Sequence, residues 1–103
     1  MNKRTAEFNA EFALVKPLIY QRDNHKCQYP ADDHWGPLDV DHIVLRSLGG
    51  SNDPINLISL CRKHHSMCED KSTGDKIILL CGLLKKKYSY KYTDRRSKFL
   101  GIT

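Results

Sequence analysis

No stretch of this sequence is both apolar enough and long enough to cross a bilayer. The longest apolar run, Ile77 to Leu84, is interrupted by Gly82 and falls far short of the roughly 18–20 residues a spanning helix needs. The N-terminus lacks the apolar core of a secretory signal. Met1-Asn2-Lys3-Arg4-Thr5-Ala6-Glu7 leads instead into an amphipathic stretch, so a cytoplasmic protein with no membrane partner is the expectation. Internal repeats and low-complexity segments are missing as well. With 40% hydrophobic and 28% charged residues, the composition is that of a folded chain and not of a disordered tail. Length is also scarce: 103 residues suffice for one domain, expected to span 1–103, and leave no room for a targeting module. Surface-to-volume scaling makes so small a core marginal and often calls for a metal or disulfide staple.

Acidic residues are outnumbered. Lys and Arg total 17 against 12 Asp and Glu, giving a formal charge of +5 and a pI near 9.1. The excess sits at one end, where Lys85, Lys86, Lys87, Lys91, Arg95, Arg96 and Lys98 face a single acid, Asp94. Tyr88, Tyr90, Tyr92 and Phe99 interleave flat rings with these charges. Such a segment, a basic helical stretch over about 75–103, suits a polyanion; a solvated basic helix is the plain alternative.

The four cysteines are Cys27, Cys61, Cys68 and Cys81. Without a secretory signal, free thiols or metal ligands are better readings than disulfides. Cys81 lies inside Ile77-Ile78-Leu79-Leu80-Cys81 and reads as a buried thiol. Cys27 and Cys61 each have His or Asp close by and read as metal-ligand candidates.

Along the chain, Phe8, Phe12 and Val15 mark one helix face from Thr5 to Val15. Pro17 either ends that helix or opens another through Leu18-Ile19-Tyr20-Gln21. Asp23 to Pro37 is rich in turn residues, and Leu38 to Leu45 reads as a strand. Gly49-Gly50-Ser51-Asn52 is a loop. Asp53 caps a short helix that opens on Pro54 and runs through Asn56 to about Ser59. A second helix begins near Arg62, Thr73-Gly74-Asp75 ends it, and Lys76 to about Tyr88 forms a last one. These elements make a small α+β domain.

Several short patterns occur in order: Arg22-Asp23-Asn24 before Cys27, Asp41-His42-Ile43, Gly49-Gly50-Ser51-Asn52-Asp53, Asn56-Leu57, and Cys61-Arg62-Lys63-His64-His65. Each alone is weak; together they are specific. They resemble the HNH endonuclease family over residues 22–68, roughly half the chain. The resemblance implies a ββα-metal core, a β-hairpin plus helix, with flanking N- and C-terminal helices. It also implies a metal-dependent endonuclease hydrolysing phosphodiesters in DNA, a monomer or homodimer with no organic cofactor. Small free-standing relatives are often phage-encoded, which would place the protein in a bacterial host.

The family positions fall on Asp41 and His65 as ligands of a divalent cation (Mg²⁺ or Mn²⁺), His42 as general base, and Asn56 as the residue that orients the loop. A neutral imidazole suits removal of a proton from water near pH 7, and a divalent cation suits charge on the leaving oxygen. Asn56 also reads as a residue bonding backbone amides at a helix start. Adjacent strand residues face opposite ways, so Asp41 and His42 share a site only if the chain bends there. Asn52 and Asp53 read as turn and cap residues outside the site, and His25 as exposed.

Many relatives carry a structural zinc between two knuckles. Cys61-x-x-His64 matches the second; the first keeps Cys27 but lacks its usual partner. Relatives reading Cys-x-x-Pro-Gly-Cys place that partner at Asp32, the expected fourth ligand, with Asp33 or His34 as alternatives and Cys68 as a fallback. Without zinc, Cys27 and Cys61 are packed thiols. A zinc-stabilised DNA-binding module without turnover is the competing function.

Overall fold

The computed structural model describes residues 2–88. The chain opens with helix α1 (Lys3–Arg22), capped by the Asn2 side chain, which accepts from the Thr5 N–H at 2.8 Å. Strand β1 (Leu38–His42) pairs antiparallel with β2 (Leu57–Cys61), Val40 opposite Ser59 and His42 opposite Leu57. Two short 3-10 turns, Arg46–Leu48 and Pro54–Asn56, lie in the connection between the strands. Helix α2 (Arg62–Glu69) follows β2 directly, and α3 (Thr73–Tyr88) ends the described chain. Hairpin plus α2 is the expected ββα core, flanked by α1 and α3.

The hairpin separates two apolar clusters. Ile43, Val44, Ile58 and Leu60 pack with Cys68 of α2 and Ile77, Leu80, Cys81 and Leu84 of α3. Val40 and Leu57 pack with Ile19 of α1, supported by Phe12, Val15 and Tyr20. Cys81 is buried in the first cluster, as its neighbours in the sequence implied. None of the four cysteines forms a disulfide.

Several boundaries differ from the expectation, α2 among them, which ends at Glu69 ahead of Thr73-Gly74-Asp75. α1 runs unbroken through Pro17; the carbonyl that loses its helical donor there belongs to Ala13, an exposed residue. β1 stops at His42 and not Leu45, because a side chain replaces the strand partner beyond that point, as described below. The expected short helix to Ser59 is a 3-10 turn ending at Asn56, and β2 takes its place from Leu57. Every residue of β2 is buried, so the alternation that marks a one-sided strand is absent. Finally, α3 begins at Thr73, with the Ser72 hydroxyl accepting from the Asp75 N–H at 3.2 Å.

A guanidinium ties α1 to the hairpin. Arg22 pairs with the buried Asp23 at 2.9 Å and donates to the carbonyls of Pro54 and Leu57, both at 2.8 Å. Asp23 in turn accepts from the Ser59 N–H at 2.9 Å. These carbonyls bracket Asn56, so the Arg22-Asp23 pattern fixes the turn that carries it.

Gly50 shows how tightly the connecting loop closes. A Cβ placed there would lie 1.7 Å from the Val44 carbonyl oxygen, so no side chain fits without opening the loop. Gly50→Ala is therefore expected to cost about 2–4 kcal/mol, measurable as a lowered urea midpoint with an unchanged slope.

Candidate metal centres and catalytic residues

Asp39 and Asp41 alternate with Val40 and His42 along β1, so the two carboxylates face α2 while His42 faces α1. α2 answers with His65, whose Nε2 lies 3.1 Å from Asp41 Oδ1 and whose Nδ1 lies 3.1 Å from Asp39 Oδ2. One turn on, Glu69 Oε1 lies 3.0 Å from His65 Nε2. Asp41, His65 and Glu69 thus offer three ligand atoms within 4.8 Å of one another. Asp41 is 2% exposed, and its Oδ2 is buried without a hydrogen-bond partner. A buried carboxylate oxygen left unpaired is costly; a cation would satisfy it. Two carboxylates and an imidazole form a hard, mixed O/N set of the kind Mg²⁺ or Mn²⁺ accepts. The donors fit a divalent cation.

Without a cation, the hydrogen bond to Asp41 raises His65 to about 9, against the lowering effect of burial and with further help from Asp39 and Glu69. A folded-state value above the ordinary 6.5 means that folding takes up a proton. The stabilisation is full below about 6.5 and disappears as pH rises through about 9. In zinc-loaded protein free of Mg²⁺ and Mn²⁺, the difference in melting temperature between the wild type and His65→Gln should accordingly shrink between pH 7 and pH 9.5. A constant difference would contradict this assignment.

His42 does not join the Asp41 group. Its ring packs against Phe12 at 4.5 Å and Phe8 at 5.6 Å between centroids, and its Nε2 lies 2.8 Å from Asn52 Oδ1. Asn52 donates its amide hydrogens to the Phe8 carbonyl at 3.0 Å and to Glu11 Oε1 at 2.8 Å. The amide oxygen therefore faces His42, which donates from Nε2, so that in the neutral ring the lone pair is on Nδ1. Asn52, read from the sequence as a turn residue, instead sets the His42 tautomer. Nothing in its local sequence marks this role, because its partners come from α1, more than 40 residues away.

Asn56 is 2% exposed and clamps the segment after β1. Its Oδ1 accepts from the Val44 N–H at 2.9 Å, and its Nδ2 donates to the carbonyls of Val44 at 3.1 Å and Ser51 at 2.9 Å. The side chain thus takes the part of a strand partner and turns the backbone just beyond His42.

A second donor group lies at the other end of the hairpin. Cys27, His34, Cys61 and His64 bring one ligand atom each within 4.8 Å of one another. His64 Nδ1 is 3.4 Å from Cys27 Sγ and 3.2 Å from Cys61 Sγ, and His34 Nδ1 is 3.7 Å from Cys61 Sγ. Tetrahedral zinc with ordinary bond lengths separates its S and N ligands by about 3.6 Å. Burial pushes the Cys61 thiol up, but the His64 N–H at the start of α2 and the His34 ring outweigh it and bring the thiol to about 6. A thiol so poised is ready to bind a soft cation. The donor set fits zinc.

Asp32 is not part of this group; His34 occupies the fourth position. The turn between Cys27 and β1 carries the imidazole, two residues further on, back to Cys61, while Asp32 remains exposed. Neighbouring Asp33 pairs with Lys63 and lies 3.7 Å from His64 Nε2. Cys68 is fully buried in the apolar cluster and is no donor here. Among the residues expected to contact DNA, Lys85, Lys86 and Lys87 fall on α3, with Lys86 exposed. Lys91, Arg95 and Arg96 lie outside the described residues.

A hairpin and helix bearing one hard and one soft donor set, each able to hold a metal ion, define a small α+β domain. The HNH endonuclease family model matches residues 25–71, from the loop before Cys27 to just beyond α2. That segment belongs to the HNH endonuclease family. No curated protein and no solved structure matches the chain. Helices α1 and α3 lie outside the family match. Among the described residues, no helix is long and apolar enough to cross a membrane.

Proposed function

We propose that this protein is a metal-dependent endonuclease that hydrolyses phosphodiester bonds in DNA. The observation that carries the reading is the buried, unpartnered Oδ2 of Asp41 beside His65 and Glu69, inside a domain of this family. Asp41, His65 and Glu69 would hold one divalent cation, which supplies Lewis-acid stabilisation of the leaving oxygen. His42 is the general base: Nδ1 takes a proton from the attacking water, whose oxygen bonds to phosphorus as the P–O bond to the leaving strand breaks. Asn52, accepting from Nε2, selects the neutral tautomer whose lone pair is on Nδ1, and Asn56 holds the backbone beyond His42. His42 and Asp41 project from opposite faces at the end of one strand, so the scissile phosphate would lie across the strand end. Lys85, Lys86, Lys87, Lys91, Arg95 and Arg96 would bind phosphates without reading sequence, which makes affinity fall with salt. Zinc at Cys27, His34, Cys61 and His64 would serve the fold.

The packing of His42 against Phe8 and Phe12, turned from the Asp41 group, favours a second reading: a zinc-stabilised DNA-binding module without turnover. Supercoiled plasmid separates the two. The nuclease nicks it with Mg²⁺ or Mn²⁺ and stops in EDTA; the module shifts it on a gel and leaves it intact in every metal.

A further inference from the structure

The buried cation in the Asp41 group belongs to the protein itself. Lys76, in the first turn of α3, is 5% exposed. Its Nζ lies 3.1 Å from Asp41 Oδ1 and donates to the His42 carbonyl at 3.1 Å. Both partners are strand residues assigned above to the reaction, yet Lys76 lies outside the family match at 25–71. A lysine buried this deeply is rare unless paired, and its pair is a carboxylate that would ligate metal.

We propose that Lys76 is a positioning residue that acts as a resident counter-charge: it holds Asp41 in place and weakens the site's affinity for a divalent cation. The inference rests on the metal-site reading above. The charges around the site explain the effect. Asp39, Asp41 and Glu69 supply three carboxylates; Arg62, 3.0 Å from Asp39, and Lys76 offset two of them. With His65 neutral, one net negative charge remains to receive a dication. Lys76 shares Oδ1 of Asp41 with His65 Nε2, so an incoming cation would sit within a few ångströms of the ammonium and be repelled by it. The same ammonium stops the strand end from drifting, through its bond to the His42 carbonyl.

The test is calorimetric titration of Mn²⁺ into zinc-loaded full-length protein, comparing the wild type with Lys76→Met, Lys76→Gln, Lys76→Arg and Asp41→Asn. Removing one unit of positive charge at this separation should tighten Mn²⁺ binding by at least about tenfold. Lys76→Met and Lys76→Gln should both show this, Lys76→Arg should bind like the wild type, and Asp41→Asn should lose the site. If Lys76→Met fails to fold, Lys76→Gln, which keeps donors for both acceptors, carries the comparison alone. Unchanged or weaker Mn²⁺ binding in the neutral variants, with Asp41→Asn still abolishing it, overturns the role of Lys76 and leaves the metal site standing. Mn²⁺ binding that is absent throughout, or that survives Asp41→Asn, overturns both.

Discussion

Replacing Cys61 by Ser, or withdrawing zinc with a strong chelator, should unfold the described domain rather than merely weaken it. Residues 23–37 contain no helix or strand; beside the Asp23 interactions, the Gln28 N–H bond to the Ser59 carbonyl and the Lys63 N–H bond to the Trp35 carbonyl, they carry two of the four zinc donors, Cys27 and His34. The apolar clusters are small and lie on two sides of a two-stranded sheet, an arrangement in which burial alone leaves little margin. Structural zinc sites in small domains contribute roughly 10–16 kcal/mol of apparent binding free energy, as large as the roughly 5–15 kcal/mol that keeps a whole domain folded. The expected result is loss of most helical signal by circular dichroism, and of one zinc per chain by elemental analysis. His34→Ala should lower the zinc content, whereas Asp32→Asn should leave it unchanged. A chelated protein that keeps its melting transition would show that Cys27 and Cys61 are packed thiols.

The largest effect on activity is expected from His42→Ala. Proton transfer by a positioned side chain is worth about 10²–10⁴-fold in rate, so plasmid nicking should fall by that factor while Mn²⁺ affinity and DNA affinity stay near wild type. The separation of the roles follows from the strand: His42 contributes nothing to the Asp41 donor set, and its ring contacts belong to α1. Asn52→Leu should reproduce part of the loss, because without the Asn52 oxygen nothing among the described contacts holds the hydrogen on Nε2. A His42→Ala variant that nicks at the wild-type rate would move the base elsewhere.

The sequence revealed what depends on local spacing. Asp41, His42, Asn56 and His65 stood in recognisable order, apolar spacing marked α1 as far as Val15, and helices were expected from near Arg62 and over Lys76 to Tyr88. It concealed what depends on distant packing. β2 has no alternating pattern because both of its faces are covered, and the Asn56 side chain ends β1 by standing in for a strand. Glu69 was readable in principle, four residues after His65 and so on the same helix face. His34 was visible as one alternative among three, and only the path of the turn selects it over Asp32. Lys76 and Asn52 gave no sign. Each acquires its meaning from an element brought in by the fold, Asn52 from α1 and Lys76 from the strand it reaches.

The most direct test of the whole account is the crystal structure of the protein grown with Mn²⁺ and zinc, with anomalous scattering recorded at both absorption edges. A manganese peak bonded to Asp41, His65 and Glu69, and a zinc peak bonded to Cys27, His34, Cys61 and His64, are the expected result. Manganese absent from the Asp41 group, with Lys76 still paired to its carboxylate, would contradict it.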